Sequence, residues 1–241
     1  KGYYELGDLD FSGRVTSTDF SMMVNYIIGE VEKPQIDAED IEERVAFAAA
    51  DVNFDEEIGI GDAVKVMREI NIGGALNFIN KAKATRSNAE STISLAGGQL
   101  ILNNGVAVAG MLLDFADADA AEITLAARAA GMTVTTNTLA DGTLRVMLIS
   151  PADNIIEGND GVVLNITAGA RLVSATIADV AGNEYKLAVD GNATAIDAIA
   201  GAVKNAGKTI YNVAGQMVNG VKKGINIIRN ANGTTTKVLN K

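Results

Sequence analysis

Apolar residues recur at every third or fourth position in parts of the first 73 residues, which is the spacing of one helix face. Residues 19–28 place five of them on a single face: Phe20, Met23, Val24, Ile27 and Ile28. Gly29 follows as a stop signal. Residues 62–70 repeat this pattern, and residues 37–50 read as a third, more acidic helix. The pattern predicts a small helical domain whose apolar stripes form its core.

From Thr92 onward the pattern changes to short β-branched or alternating runs, separated by Gly, Asn and Asp. Asn103-Asn104-Gly105 and Asp141-Gly142 are examples of the turn signals. Nine strands are predicted, over residues 92–96, 99–102, 106–115, 122–126, 132–136, 144–150, 162–168, 173–179 and 185–189. Many short strands with regular turns are typical of an antiparallel β-sandwich or jelly roll. The expected fold class is therefore multidomain: α-helical, then all-β, with a short β-rich segment at the C-terminus.

The formal net charge of −10 is spread unevenly, at −11 over residues 1–73, −5 over 74–190 and +6 over 191–241. Such asymmetry indicates separate modules with separate partners. An acidic front repels nucleic acid and suits hard cations, so no nucleic-acid partner is expected. No run reaches the ~18 apolar residues that span a bilayer, so the chain is not expected to span a membrane.

The composition also narrows the possible chemistry. His and Cys are both absent, which removes the commonest general base, thiol nucleophiles and the usual ligands of zinc or copper. Catalysis would have to rest on carboxylates, Lys, Ser or Tyr, so a binding protein is expected and not an enzyme. The first four residues lack the apolar stretch of a signal peptide; either a leader has been removed or the chain is a piece of a longer protein.

Two stretches 43 residues apart, 8–19 and 51–62, are copies of one twelve-residue pattern. Oxygen-bearing side chains stand at positions one, three, five and twelve of both. Calcium takes six to eight hard oxygen ligands, and alternate residues of such a loop converge on one point, as in an EF-hand loop. Position seven contributes its backbone carbonyl. The predicted ligands are Asp8, Asp10, Ser12, the Arg14 carbonyl and Asp19 for one Ca²⁺, and Asp51, Asn53, Asp55, the Glu57 carbonyl and Asp62 for a second.

The loops depart from the EF-hand pattern at two positions. Position six of the second loop is Glu56, where the turn favours Gly because its backbone is left-handed. A non-Gly residue there costs roughly 1 kcal/mol, so loop two is expected to bind more weakly or to fold with an altered turn. Position twelve is Asp19 or Asp62 instead of Glu.

Paired loops with Asp at position twelve, each followed but not preceded by its own helix, resemble type I dockerin repeats over residues 6–73. The resemblance implies calcium-dependent folding and docking onto a cohesin domain. Residues at loop positions ten and eleven are those that dockerins present to their partner, here Ser17, Thr18, Ile60 and Gly61. The alternative is a calcium pair that only stiffens a linker.

The β region is similar to a cohesin jelly roll over residues 92–190. The likeness is carried by Val106–Phe115, by Asp141-Gly142-Thr143-Leu144-Arg145-Val146, and by the Gly-rich turn and strand at 157–164. It implies a recognition module without catalysis. A docking domain and a domain of the kind it binds would then share one chain, and could meet in cis or in trans.

The last segment, residues 191–241, shows three short β runs, at 209–218, 223–229 and 236–239. Its pieces Ile210-Tyr211-Asn212, Lys223-Gly224-Ile225 and Lys237-Val238-Leu239 resemble the C-terminal sorting segment of proteins exported by the type IX route of Gram-negative bacteria. The resemblance implies a location that is extracellular or on the outer-membrane surface. An extra hairpin completing a sandwich is the alternative.

These observations predict four parts: a dockerin-like domain at 1–73, a linker at 74–91, a cohesin-like sandwich at 92–190 and a sorting-like segment at 191–241. The expected function is calcium-dependent protein–protein docking in a surface or secreted protein. One alternative is a sandwich that binds a cell-surface glycan or a host protein, with the calcium pair only structural. A carboxylate-based hydrolase is the third possibility.

Overall fold

The computed structural model describes residues 4–74, 76, 91–158 and 160–189, together with the backbone of four strands between 209 and 240. Three helices come first: α1 (Ser17–Ile28), α2 (Ile41–Ala50) and α3 (Ile60–Ile72). Thr16 caps α1 through a capping box with Asp19, and Gly29 ends it in the left-handed conformation. Asp40 caps α2 through its side chain. Among the described residues, no helix is both long enough and apolar enough to cross a bilayer.

Nine strands follow and form two antiparallel sheets. Their bounds are β1 (Thr92–Ala96), β2 (Gln99–Asn103), β3 (Val108–Ala116), β4 (Thr124–Leu125), β5 (Thr133–Thr138), β6 (Leu144–Ile149), β7 (Asp160–Asn165), β8 (Arg171–Asp179) and β9 (Glu184–Lys186). One sheet has the order β1-β2-β7-β4, and the other, the five-stranded sheet, has the order β5-β6-β3-β8-β9. The predicted fold class, helices followed by an antiparallel β-sandwich, is confirmed.

The two sheets enclose an apolar core that includes Leu100, Met111, Phe115 and Val146. A second core lies on the other face of the five-stranded sheet, where Ala109, Met147, Ile149 and Ala178 pack with the apolar stripes of the helices. The helices therefore share this second core with the outer face of the five-stranded sheet. Within this unit α1 lies over β5 and β6, and α3 lies over β3 and β8.

The chain divides into two compact units, residues 1–190 and 191–241. In the second unit the strands are β10 (Thr209–Asn212), β11 (Met217–Val218), β12 (Gly224–Arg229) and β13 (Thr235–Asn240). They form an antiparallel sheet in the order β11-β10-β12-β13. The predicted β run at 209–218 is therefore two strands. Most of the predicted linker at 74–91 lies outside the described residues.

Candidate metal centre and docking face

The first candidate centre is loop one, between the chain start and α1. Carboxylate oxygens of Asp8, Asp10 and Asp19 all lie within 4.8 Å of one another. Asp19 is fully buried, and its Oδ1 accepts hydrogen bonds from the backbone N–H of Leu9 at 2.7 Å and of Asp10 at 3.1 Å. Its Oδ2 accepts from the N–H of Thr16 at 2.7 Å, so one carboxylate ties the start of the loop to the start of α1.

The second candidate centre is loop two, between α2 and α3. Carboxylate oxygens of Asp51, Asp55 and Asp62 again lie within 4.8 Å of one another. Asp62 is fully buried and accepts from the N–H groups of Gly59 at 2.8 Å and Asn53 at 3.1 Å. These bonds repeat those that Asp19 makes in loop one. The sequence duplication is therefore a duplication of geometry as well.

The remaining predicted ligands lie in the same two loops. The hydroxyl of Ser12 donates to the Arg14 carbonyl at 3.3 Å, which brings these two oxygens together. Asn53 accepts from the N–H of Asp55 at 3.0 Å through its Oδ1. The carboxylate of Glu57 forms an ion pair with Lys186, 3.2 Å from its Nζ.

The turn at position six has the same hand in both loops. Gly13 has φ of 84° and Glu56 has φ of 72°, so the predicted left-handed conformation is adopted by the glutamate. Of the two expected consequences of Glu56, an altered turn does not occur. The backbone strain of a non-Gly residue in this region is therefore present in loop two.

Burial sets the electrostatics of the two loops. Burial raises the pKa of Asp62 well above its ordinary value, and it raises the pKa of Asp51 to a lesser degree. In loop one, hydrogen bonds from Ser12 lower the pKa of the exposed Asp10. A trio of close carboxylates, two of them buried, is costly when ionised without a counter-charge. The donor set consists of hard oxygens, which is the set that calcium prefers.

A second feature is the docking face, defined as Ile60, Gly61, Val64 and Arg68 at the side of α3 that meets the five-stranded sheet. Ile60 is 0% exposed and Val64 is 2% exposed. Both lie above Gly110 on β3, where an added Cβ would stand 2.8 Å from Cγ1 of Ile60 and 2.9 Å from Cγ2 of Val64. The missing side chain of Gly110 makes the depression that these two residues fill.

Polar contacts surround this apolar centre. The N–H of Gly61 donates to Oε1 of Glu184 on β9 at 2.7 Å. Arg68 forms an ion pair with Asp153 at 2.7 Å, and Nδ2 of Asn71 donates to the Pro151 carbonyl at 3.0 Å. The contacts follow α3 from its first turn to its last.

The sandwich also supplies a group of the right charge to the N-terminus of α3 and to the C-terminus of α1. Glu184 places a carboxylate at the N-terminus of α3, where the helix dipole favours negative charge. At the C-terminus of α1, Arg145 donates to the Ile27 carbonyl at 3.3 Å and Asn137 donates to the Ile28 carbonyl at 3.2 Å. Asp114 holds the guanidinium of Arg145 through bonds of 2.8 and 3.0 Å. The helices are therefore matched to the sandwich in charge as well as in shape.

Two lysines brace loop two from outside the acidic trio. Lys33 donates to the Ile58 carbonyl at 2.6 Å, and Lys65 donates to the Val52 carbonyl at 2.7 Å. Burial lowers the pKa of both amines. They place positive charge next to Asp51 and Asp62, whereas in loop one the nearby Arg14 is exposed.

The four predicted partner-contact residues separate into two pairs. Ile60 and Gly61 are buried against the sandwich, whereas Ser17 and Thr18 are exposed. Sequence reasoning assigned no contact role to Glu184, Arg145 or Gly110, although Arg145 and Gly110 stand in segments that resemble a cohesin. One signal for them was available: β6 is apolar at nearly every position, which is typical of a strand buried on both faces.

Comparison with known proteins finds a family likeness in the helical part. Residues 6–71 match the family model described as the dockerin type I domain. That match covers both loops and all but the last residue of α3, so the likeness to this family of docking domains is confined to the helical part. Comparison with curated protein sequences gave no match.

Two solved structures are similar to part of this chain. One is a cohesin module from a Clostridium perfringens family 33 glycoside hydrolase, with 21% identity, 41% of this chain and 88% of that chain covered, and a TM-score of 0.28. The other is a chain of the CaDoc0917–CaCohA2 complex, with 16% identity, 42% and 93% covered, and a TM-score of 0.25.

Proposed function

We propose that residues 1–73 are a calcium-stabilised docking domain whose partner is the cohesin-like sandwich of residues 92–190, met within the same chain. The observation that carries this proposal is the burial of Ile60 and Gly61, the two residues expected to face a partner, against the five-stranded sheet. The dockerin type I match supports a docking role for this segment.

Calcium has a defined task in this proposal. Each bound ion supplies two positive charges between three carboxylates. The protein's own carboxylates connect each loop to its helix: Asp19 and Asp62 each join the start of a loop to the start of the helix after it. In loop two that helix is α3, which carries the docking face. Because the ion binds the folded loop and not the unfolded chain, it stabilises the face by mass action, about 2.7 kcal/mol when free calcium is 100 times the dissociation constant.

The four-part division of the chain, at 1–73, 74–91, 92–190 and 191–241, belongs to the same proposal. The sorting-like residues of the last segment support export to the surface or the medium. We propose that the helical domain and sandwich are displayed there as one rigid recognition unit. Free calcium is available outside the cell, so the docked state is the working state.

A distance measurement in the full chain tests the calcium-dependent docking. The chain has no Cys, so nitroxide labels can be placed at Ile72→Cys, on α3, and Ala152→Cys, on the sandwich. Both positions are exposed, and the neighbouring Asn71–Pro151 hydrogen bond keeps them close when the domain is docked. We expect one short distance in calcium and a long, broad distribution in chelator. The same short distance in both conditions would show that docking does not depend on calcium, and would contradict this part of the proposal.

A further inference from the structure

The start of α3 contains two glycines whose backbone does not require them. Gly59, the N-cap, has φ of −140°, and Gly61 lies inside the helix, so neither is in the left-handed region. Glycine within a helix is less favourable than alanine by about 1 kcal/mol. A residue with a side chain would therefore make a more stable helix at position 61, and the glycine needs another reason.

That reason is the closeness of the sandwich. A Cβ on Gly61 would stand 2.9 Å from Nδ2 of Asn53 and closer still to the carbonyl oxygen of Gly182, in the turn between β8 and β9. The second atom belongs to the backbone and has little room to move. A Cβ on Gly59 would overlap the carboxylate of Glu184. The two glycines let α3 approach near enough for Glu184 to reach the Gly61 amide.

The first repeat lacks these glycines. Its equivalent positions, nine to eleven of loop one, are Thr16, Ser17 and Thr18, against Gly59, Ile60 and Gly61. Threonine at the place of Gly61 would drive its Cβ and its branches into the Gly182 carbonyl. Thr16 already has a local task, because its hydroxyl accepts from the Thr18 N–H at 3.2 Å.

The two repeats also differ at the positions that make the apolar contact. Ile60 and Val64 fill the depression at Gly110, whereas the equivalent residues of repeat one are Ser17 and Ser21, both exposed. The Ser21 hydroxyl donates back to the Ser17 carbonyl at 2.9 Å. Two serines in that depression would fill less of it than Ile60 and Val64 do, and their hydroxyls would have to be removed from water.

We propose that docking is one-sided: only the first turns of α3, in repeat two, fit the site formed by Gly110, Gly182 and Glu184, and the equivalent turns of repeat one are excluded from that site by their threonines and serines. The inference rests on the proposed docking function and names its specificity determinants. The docking face recognises a sheet with a glycine depression, a close turn carbonyl and a carboxylate at the edge. The first turn of α1 then remains outside the interface, with Ser17 and Thr18 facing solvent, while the C-terminal end of α1 keeps its contacts with Arg145 and Asn137.

The experiment exchanges residues between the repeats in the full chain carrying the labels at positions 72 and 152, with calcium saturating. Gly61→Thr gives repeat two the residue of repeat one, and Thr18→Gly makes the reverse change as the matched control. Ile60→Ser and Ser17→Ile form a second pair that tests the apolar contact without a clash. Threonine is tolerated at the equivalent position of α1, so Gly61→Thr is expected to fold. Circular dichroism and the number of calcium ions bound check each variant.

We expect Gly61→Thr and Ile60→Ser to lower the ratio of short to long label distances by about tenfold or more, since overpacking and burial of a hydroxyl each cost on that scale. Thr18→Gly and Ser17→Ile should leave the ratio unchanged. A preserved short distance in both Gly61→Thr and Ile60→Ser would overturn the inference. A loss of the short distance in Thr18→Gly or Ser17→Ile would overturn it as well. Loss of calcium binding in the parent chain would instead refute the proposed function, whatever the variants do.

Discussion

The carboxylate of Glu184, on β9 of the sandwich, accepts a 2.7 Å hydrogen bond from the amide of Gly61 in the first turn of α3. These residues are 123 positions apart, and they join the two parts of the chain at the point where loop two ends. An anionic acceptor at a helix N-terminus is favoured by the helix dipole and by the unpaired N–H groups there. The contact therefore links the candidate metal loop to the docking face.

Replacing Glu184 tests the strength of this contact. Glu184→Ala removes the acceptor of the Gly61 N–H, and hydrogen bonds to charged groups contribute about 1.5–3 kcal/mol. We expect α3 to separate from the sandwich more often, with faster hydrogen exchange of the Gly61 amide. Glu122→Ala, in an exposed 3-10 turn, is the matched control and should leave that exchange rate unchanged. Equal rates in the two variants would show that the contact contributes nothing.

The depression at Gly110 gives a second prediction. Gly110→Ala would place a Cβ against Ile60 and Val64, and overpacking of this kind costs about 1–3 kcal/mol. We expect a lower free energy of unfolding, measured in urea. Ile60→Val shortens the facing side chain and should recover part of the loss when combined with Gly110→Ala. A double-mutant cycle that gives no coupling energy would contradict the contact.

The left-handed glutamate of loop two gives a third prediction. Glu56→Gly relieves the strain of φ at 72° and should raise the free energy of unfolding by up to about 1 kcal/mol. Glu56→Gln is the control, because it removes the charge and keeps the strain. Thermal unfolding in calcium measures both. A gain of equal size in the control would assign the effect to charge instead of backbone conformation.

The buried carboxylates predict how stability changes with pH in chelator. Burial raises the pKa of Asp62, Asp51 and Glu184 above their ordinary values, so the folded chain holds protons that the unfolded chain releases. Stability from these groups is complete below the ordinary Asp value of 3.8 and is lost as pH rises through the raised values. We expect the melting temperature without calcium to fall as pH is raised from about 4 to about 7. Asp62→Asn should flatten this dependence, and an unchanged profile would contradict it.

Much of the fold followed from local patterns in the sequence. The spacing of apolar residues predicted the three helices, and all nine predicted sandwich strands overlap strands of the structure. The same spacing of acidic residues, present in two copies, predicted two groups of carboxylates that meet in space. The structure brings each group together: Asp8, Asp10 and Asp19 in one, and Asp51, Asp55 and Asp62 in the other. These features could be predicted from the sequence because each depends on residues within one short segment.

The docking geometry could not be predicted from local patterns in the sequence. The resemblance to dockerins predicted that Gly61 faces a partner, but the choice of Glu184 as its acceptor depends only on how the two parts pack. Gly110 sits in a strand whose alternation predicted only that it was a strand. The apolar run of β6 carries part of the missing information, because Val146 and Leu148 enter the sandwich core while Met147 and Ile149 face the helices.

Calorimetric titration of the full chain with calcium tests the central claim most directly, when Asp8→Asn and Asp51→Asn are titrated beside it. Two ions should bind the parent chain and one should bind each variant. Only Asp51→Asn should release the sandwich, because only loop two leads into the docking face. A parent chain that takes up no calcium, with its docked structure the same in chelator, would contradict the account.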